Sequence, residues 1–318
     1  MKEILSIGQL KAGEGEKVQG LVKILDTEIK LPITLINGQK EGKTVIITAG
    51  IHGCEYPGIK TAIELANEID PDKVSGNIII VHIVNTLGFK GRNAYIMPED
   101  NKNMLRVFPG DKNGTTSEKI AYFITKELYS KADFNFDLHG GDLHEELLPH
   151  IYYPEKADKE VVEKCIDIAE SLGVNYYLKS NNVNGTFTSA AVNNKVPGLL
   201  IERGGCGLCM EDEVKAYKKD IKNALSILNV LDSPVEVAEV SAQEMKEAIY
   251  LSSEKEGLWT TFVRVGDNIK KGDKLAEIRD CFNNIIETYY AEFDGIVLVN
   301  TMALSVRVGD DLITYGRA

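Results

Sequence analysis

Residues 44–84 constrain the fold of this chain more than any other stretch. Thr44-Val45-Ile46-Ile47-Thr48 is a β-branched, apolar run of strand length that stops at Ala49-Gly50. Pro57 suits the first turn of a helix, and Ile59, Ala62, Ile63 and Ala66 then recur at helical spacing. Residues 77–84 form a second apolar run, opened by Ser75-Gly76. Strand, helix and strand in that order predict a βαβ unit, which requires a parallel sheet covered on both faces.

The pattern repeats along the chain. Residues 116–131 predict a helix, 133–138 a strand, 159–172 a helix, 197–201 a buried strand and 211–228 a closing helix. Two short strands at 18–25 and 31–36 precede the first unit. Near Asp232-Ser233-Pro234 the texture changes to short runs with Gly-Asp turns, at 262–266, 269–272, 275–278, 291–299 and 304–309. The expectation is an α/β domain over 1–237 and a small all-β domain over 238–318.

His52 and Glu55 lie in the run that ends the first strand, Thr-Ala-Gly-Ile-His-Gly-Cys-Glu-Tyr-Pro-Gly. An imidazole and a carboxylate three residues apart at a strand end can close on one divalent cation. Both donors suit zinc, and a catalytic zinc takes three protein ligands and keeps a position open. Four other histidines are available as the third ligand. His82 sits inside an apolar strand and reads as a packed core residue. His139 ends Phe134-Asn135-Phe136-Asp137-Leu138 before paired glycines, at the same sheet edge as His52. His144 and His150 are expected in the loop beyond, with solvated or packing roles. Asp137 points to the same side of an extended strand as His139, as its orienting group or as a satisfied polar residue.

Glu202 ends another apolar strand and precedes Arg203-Gly204-Gly205. A partly desolvated carboxylate there can act as general base toward a metal-activated water. The plainer alternative is half of a Glu–Arg surface pair. Arg92 and Arg106 supply positive charge for an anionic substrate, with surface ion pairing as the plainer role. His52, Asn85, His139 and Glu202 all fall at strand C-termini, the edge where open α/β sheets bind ligands.

The charge balance argues against a nucleic-acid partner: 36 basic against 48 acidic residues give −12, and no basic stripe offsets it. Five cysteines, an odd number, fit a reducing cytoplasm better than a disulfide framework. No apolar run approaches the roughly 20 residues of a membrane span, and the amino terminus lacks a signal-peptide core. A cytoplasmic location without membrane contact is expected. Oligomeric state is open, and a homo-oligomer is compatible with the sequence. Cys206-Gly-Leu-Cys209 has no second ligand pair and reads as part of a Gly-rich loop. Residues 265–275 resemble half of a biotinyl/lipoyl-carrier sandwich, but the counterpart Asn300-Thr301-Met302-Ala303 has no lysine to modify.

Taken in order, Ala-Gly-Ile-His-Gly-Cys-Glu-Tyr-Pro-Gly, Gly-Arg-Asn, Arg-Val-Phe-Pro-Gly, Asp-Leu-His-Gly-Gly and Ile-Glu-Arg-Gly-Gly resemble the succinylglutamate desuccinylase/aspartoacylase family of zinc-carboxypeptidase-like hydrolases. The resemblance covers nearly the whole chain. It implies a mostly parallel mixed sheet flanked by helices, with a small C-terminal all-β, barrel-sandwich-like domain. It implies that His52, Glu55 and His139 bind Zn2+, that Glu202 is the base, and that Arg92 polarises the scissile carbonyl. Arg106 would grip a substrate carboxylate, with Asn93 and Asn103 as further substrate-binding residues. Leu105 departs from the asparagine usual there, and Asn103 stands in for it. The activity implied is hydrolysis of a small N-acyl amino acid or related N-acyl amine to a carboxylic acid and a free amine. A carboxypeptidase-like exopeptidase and a non-catalytic metal- or ligand-binding homologue stay open beside it.

Overall fold

Successive side chains of a strand point to opposite faces of its sheet, so a strand apolar at every position must be buried on both. In the computed structural model, which describes residues 2–236 and 242–318, the C-terminal half of the strand Lys40–Ala49 meets that demand, buried from Thr44 onward. Val45 and Ile47 pack into one apolar cluster with Ile59, Ala62 and Leu65 of the helix Tyr56–Glu68, and with residues of the helices Lys159–Glu170 and Glu211–Ile227. Ile46 packs on the opposite side with Ile79, Val81, Ile120 and Phe123.

The sheet has nine strands, in the order Gln243–Met245, Tyr176–Ser180, His150–Pro154, Gly198–Glu202, Phe134–His139, Lys40–Ala49, Ser75–Val81, Lys30–Asn37 and Glu16–Lys23. Its centre is parallel: Lys40–Ala49 pairs in parallel with Ser75–Val81 and Phe134–His139, and Phe134–His139 with Gly198–Glu202. Antiparallel pairing brings in His150–Pro154 and the two strands beyond Ser75–Val81. Register sets Thr48 beside Asp137 and His139 beside Glu202. The expected mixed α/β architecture is therefore present, and the strand ends named above share one edge.

Several elements were not foreseen, among them two strands and a helix close to the site. His150 begins the strand His150–Pro154 rather than lying in a loop, and Tyr176–Ser180 is a neighbouring strand. The helix Thr186–Asn194 is short, and five of its nine residues are Thr, Ser or Asn, which are weak helix formers. The helix expected over 116–131 is regular only over Thr116–Phe123, then widens to a π turn at Ile124–Leu128 and tightens at Tyr129–Lys131.

The C-terminal part forms two further sheets. One contains Glu247–Ser252, Asp311–Arg317, Gly295–Thr301 and Asn268–Ile269; the other contains Ile285–Tyr290, Lys274–Arg279, Gly257–Thr261 and Ser305–Val306. Trp259, Leu275, Ile278, Val297 and Ile313 fill the space between them. The strand expected at 262–266 lies one element earlier, at Gly257–Thr261, and Phe262 is exposed. Glu145–Leu147, from the α/β part, adds to Gly295–Thr301 and ties the two parts together. The expected domain boundary at 237/238 lies outside the described residues. Among the described residues, no helix is long and apolar enough to cross a membrane.

Candidate metal centre

After Ala49 the backbone turns at Gly50, whose φ of 66° is in the left-handed region that glycine adopts without strain. The following loop rests on the helix Thr86–Gly91 so closely that a Cβ on Gly53 would sit 2.4 Å from the Gly88 carbonyl carbon and the Phe89 nitrogen. Pro57 then opens the helix Tyr56–Glu68. This path carries His52 and Glu55 over the end of the adjacent strand Phe134–His139.

There, His52 Nδ1 lies 2.6 Å from Glu55 Oε1, and His139 Nδ1 lies 2.9 Å from Glu55 Oε2. Ligand atoms of the three residues all fall within 4.8 Å of one another. A nitrogen lone pair and a carboxylate oxygen cannot approach that closely without a positive species between them, either a proton or a metal ion. Burial opposes charge on His139, but Glu55 and Asp137 outweigh it and hold the imidazole well above its usual range. Burial likewise opposes charge on Glu55, and the two histidines outweigh it, bringing the carboxyl to about 2. Two imidazoles and a carboxylate, buried and converging, form a donor set that suits a divalent cation such as zinc. The residues fit the group.

Asp137 is fully buried and lies 3.0 Å from His139 Nε2. Thr48 Oγ1 donates to its Oδ1 at 2.7 Å, and the Thr186 hydroxyl donates to Oδ2. The Tyr217 hydroxyl lies 2.5 Å from the carbonyl oxygens of both His139 and Ile201, joining the two central strands at the site. Thr48, Thr186 and Tyr217 were not singled out in the sequence. The alternation that sets Thr48 beside Asp137 could have identified it; Thr186 and Tyr217 reach the site through tertiary packing alone.

Glu202 lies beside His139 in register, and its Oε2 is buried with no hydrogen-bond partner among the described residues. Burial pushes its carboxyl well above the usual carboxylate range, and the charge of Glu55 adds to the shift. It does not pair with Arg203. That guanidinium turns the other way and donates to Asp220 Oδ2 from Nε and Nη2 at 2.9 and 2.7 Å, so the Glu–Arg surface pair is absent. Glu145, also unforeseen, is a second perturbed carboxyl nearby: burial, with the charge of Asp142 adding, raises it to about 8.

The remaining candidates stand around this cluster. Asn103 Oδ1 lies 3.1 Å from His52 Nε2 and accepts the Leu105 backbone N–H at 2.9 Å. Arg106 ends the short turn Met104–Arg106, and its charge acts on Asp311 of the C-terminal part. Arg92 is exposed at the end of the helix Thr86–Gly91, with φ 52°, and lines a groove with Tyr56, Phe89 and Cys209. Among the described residues its guanidinium has no hydrogen-bond or ion-pair partner, and it does not touch the His–Glu–His cluster. The Asn93 backbone N–H closes the same helix end on Gly88 O. Away from the site, His82 Nε2 lies 2.7 Å from Thr34 Oγ1, and burial lowers its pKa to about 4. His144 is exposed; Cys206 and Cys209 are free thiols.

The sequence pattern of the Succinylglutamate desuccinylase/Aspartoacylase catalytic domain matches residues 41–228. The chain is 28% identical over 292 residues to the N-alpha-acetyl-L-2,4-diaminobutyric acid deacetylase of Halomonas elongata, covering 89% of this chain and 84% of the relative. Among solved structures, the product-bound ectoine utilization protein EutE (DoeB) of Ruegeria pomeroyi superposes with a TM-score of 0.89 at 24% identity, covering 99% of each chain. A succinylglutamatedesuccinylase/aspartoacylase from Rhodobacter sphaeroides gives 0.84 at 25% identity over 95% of each.

Proposed function

The chain belongs to the succinylglutamate desuccinylase/aspartoacylase family, and from that premise we propose that it is a zinc-dependent deacylase of small N-acyl amino acids. Hydrolysis of an N-acyl amide bond is the activity named for the Halomonas elongata relative. The observation that carries the proposal is the buried meeting of His52, Glu55 and His139 beside the unpartnered Oε2 of Glu202. Zn2+ held by the three ligands would supply Lewis acidity, lowering the pKa of water and polarising a carbonyl.

The chain's own residues do the rest. Asp137 holds His139 through Nε2, leaving Nδ1 toward the cluster. Glu202, raised by burial and by Glu55, takes a proton from the attacking water at Oε2 and returns it to the departing amine. Positive charge held by His52, Glu55 and His139 would offset the Glu55 contribution to that upward shift and favour the carboxylate form that a base needs. Arg92 is assigned to the scissile carbonyl oxygen, which requires its exposed side chain to swing inward on substrate binding. Arg106 is assigned to a substrate carboxylate, with Asn93 lining the same approach.

The test is amine release by the zinc-loaded protein from a panel of N-acetyl amino acids set against blocked dipeptides. Turnover of N-acetyl amino acids that a chelator stops is expected. A loaded protein that cleaves neither set, or only the dipeptides, would overturn the proposal.

A further inference from the structure

Resting on the metal-centre reading above, we infer that Asn103 is a positioning residue that fixes which ring nitrogen His52 presents to the cluster. The sequence resemblance placed it among substrate contacts, and its geometry points elsewhere. A backbone N–H can only donate, so its bond from Leu105 at 2.9 Å identifies the atom it meets as the Asn103 oxygen. The same oxygen lies 3.1 Å from His52 Nε2. An amide oxygen has no hydrogen to give, so Nε2 carries the ring hydrogen and donates it. In the neutral imidazole that leaves the lone pair on Nδ1, the atom 2.6 Å from Glu55 Oε1.

His139 is held in the same way. Its Nε2 faces Asp137 Oδ2 at 3.0 Å and its Nδ1 faces Glu55 Oε2 at 2.9 Å. Two imidazoles from separate segments thus present the same nitrogen to one carboxylate, each backed by an oxygen acceptor. The backing differs in kind. Asp137 is a carboxylate on the same strand, whereas Asn103 is a neutral amide on a turn anchored by buried Met104 and by Leu105 packed on the same apolar cluster. Leu105 itself turns its side chain to that cluster, so no amide stands at the position where the resemblance expects one.

Full-length protein carrying Asn103→Ser or Asn103→Asp tests this by zinc affinity and by the visible spectrum of the cobalt(II)-substituted site. Serine keeps a capping oxygen for Leu105 but is too short to reach His52, while aspartate keeps both acceptor contacts. Asn103→Ser should weaken zinc binding by about 10- to 100-fold and change the spectrum, and Asn103→Asp should restore both. Parental affinity and spectrum in Asn103→Ser, with only KM raised, would return Asn103 to substrate binding and overturn the inference. Equal loss in both variants would also overturn it, since the oxygen would not be the atom that matters. A parent protein that binds no metal would overturn the deacylase proposal itself, and this inference with it.

Discussion

Arg203 and Asp220 form a buried ion pair directly behind the candidate base: two guanidinium nitrogens reach one carboxylate oxygen at 2.9 and 2.7 Å, with 6% and 2% of each residue exposed. Asp220 Oδ1 also accepts the Gly173 N–H, and Arg203 donates to the Gly173 carbonyl. The pair therefore pins the end of the strand Gly198–Glu202 to the helix Glu211–Ile227. Removing Asp220 takes away the hydrogen-bonded partner of a buried guanidinium and leaves it the more distant Glu213 carboxylate, 3.8 Å away. Asp220→Ala should cost about 3–5 kcal/mol of stability in urea unfolding. A loss under about 1 kcal/mol, the range of an exposed pair, would mean that water reaches the guanidinium.

Glu202→Gln keeps the shape of the side chain and removes its proton exchange. The expected result is a fall in kcat of about 10²- to 10⁴-fold with zinc still bound. Near-parental turnover would remove Glu202 from the base role.

Gly53 separates the two candidate ligands of the first loop and leaves no room for a Cβ against Gly88 and Phe89. Gly53→Ala should lift the loop from the helix Thr86–Gly91, costing about 1–3 kcal/mol of stability and weakening zinc binding with it. Unchanged zinc affinity would show that His52 and Glu55 are not held by that contact.

His150 is 1% exposed, lies 2.7 Å from the Leu148 carbonyl through Nδ1, and is lowered by burial to about 4. Its native pKa is below that of the unfolded chain, so the unfolded state binds more protons between about pH 4 and 6.5. Its contribution is complete above pH 6.5 and is lost as pH falls toward 4, on the order of 3 kcal/mol at 1.36 kcal/mol per unit. Unfolding free energies measured across that window should fall less steeply in His150→Phe than in the parent. Parallel slopes would contradict the burial argument.

Much of the frame was legible because it follows from local pattern. The β-branched run ending at Ala49-Gly50 and the run ending at His139-Gly140 are bounded by turn residues, so their ends, and the residues at them, could be placed on one edge. Partner choice was not legible. Nothing local distinguishes Asp220 from Glu202 as the partner of Arg203, because the pair forms only when a helix 17 residues along in sequence folds back. Thr186 reaches Asp137 from a helix whose Thr, Ser and Asn content hides it from propensity and periodicity alike. His150 was misplaced for a related reason: a five-residue strand ending in proline carries too little alternation to stand out.

The most direct measurement is the metal content of the purified protein, reconstituted with zinc, beside the same preparation of His139→Ala. The account predicts about one zinc per chain in the parent and none retained in the variant. Stoichiometric zinc in His139→Ala, or no zinc in the reconstituted parent, would contradict it.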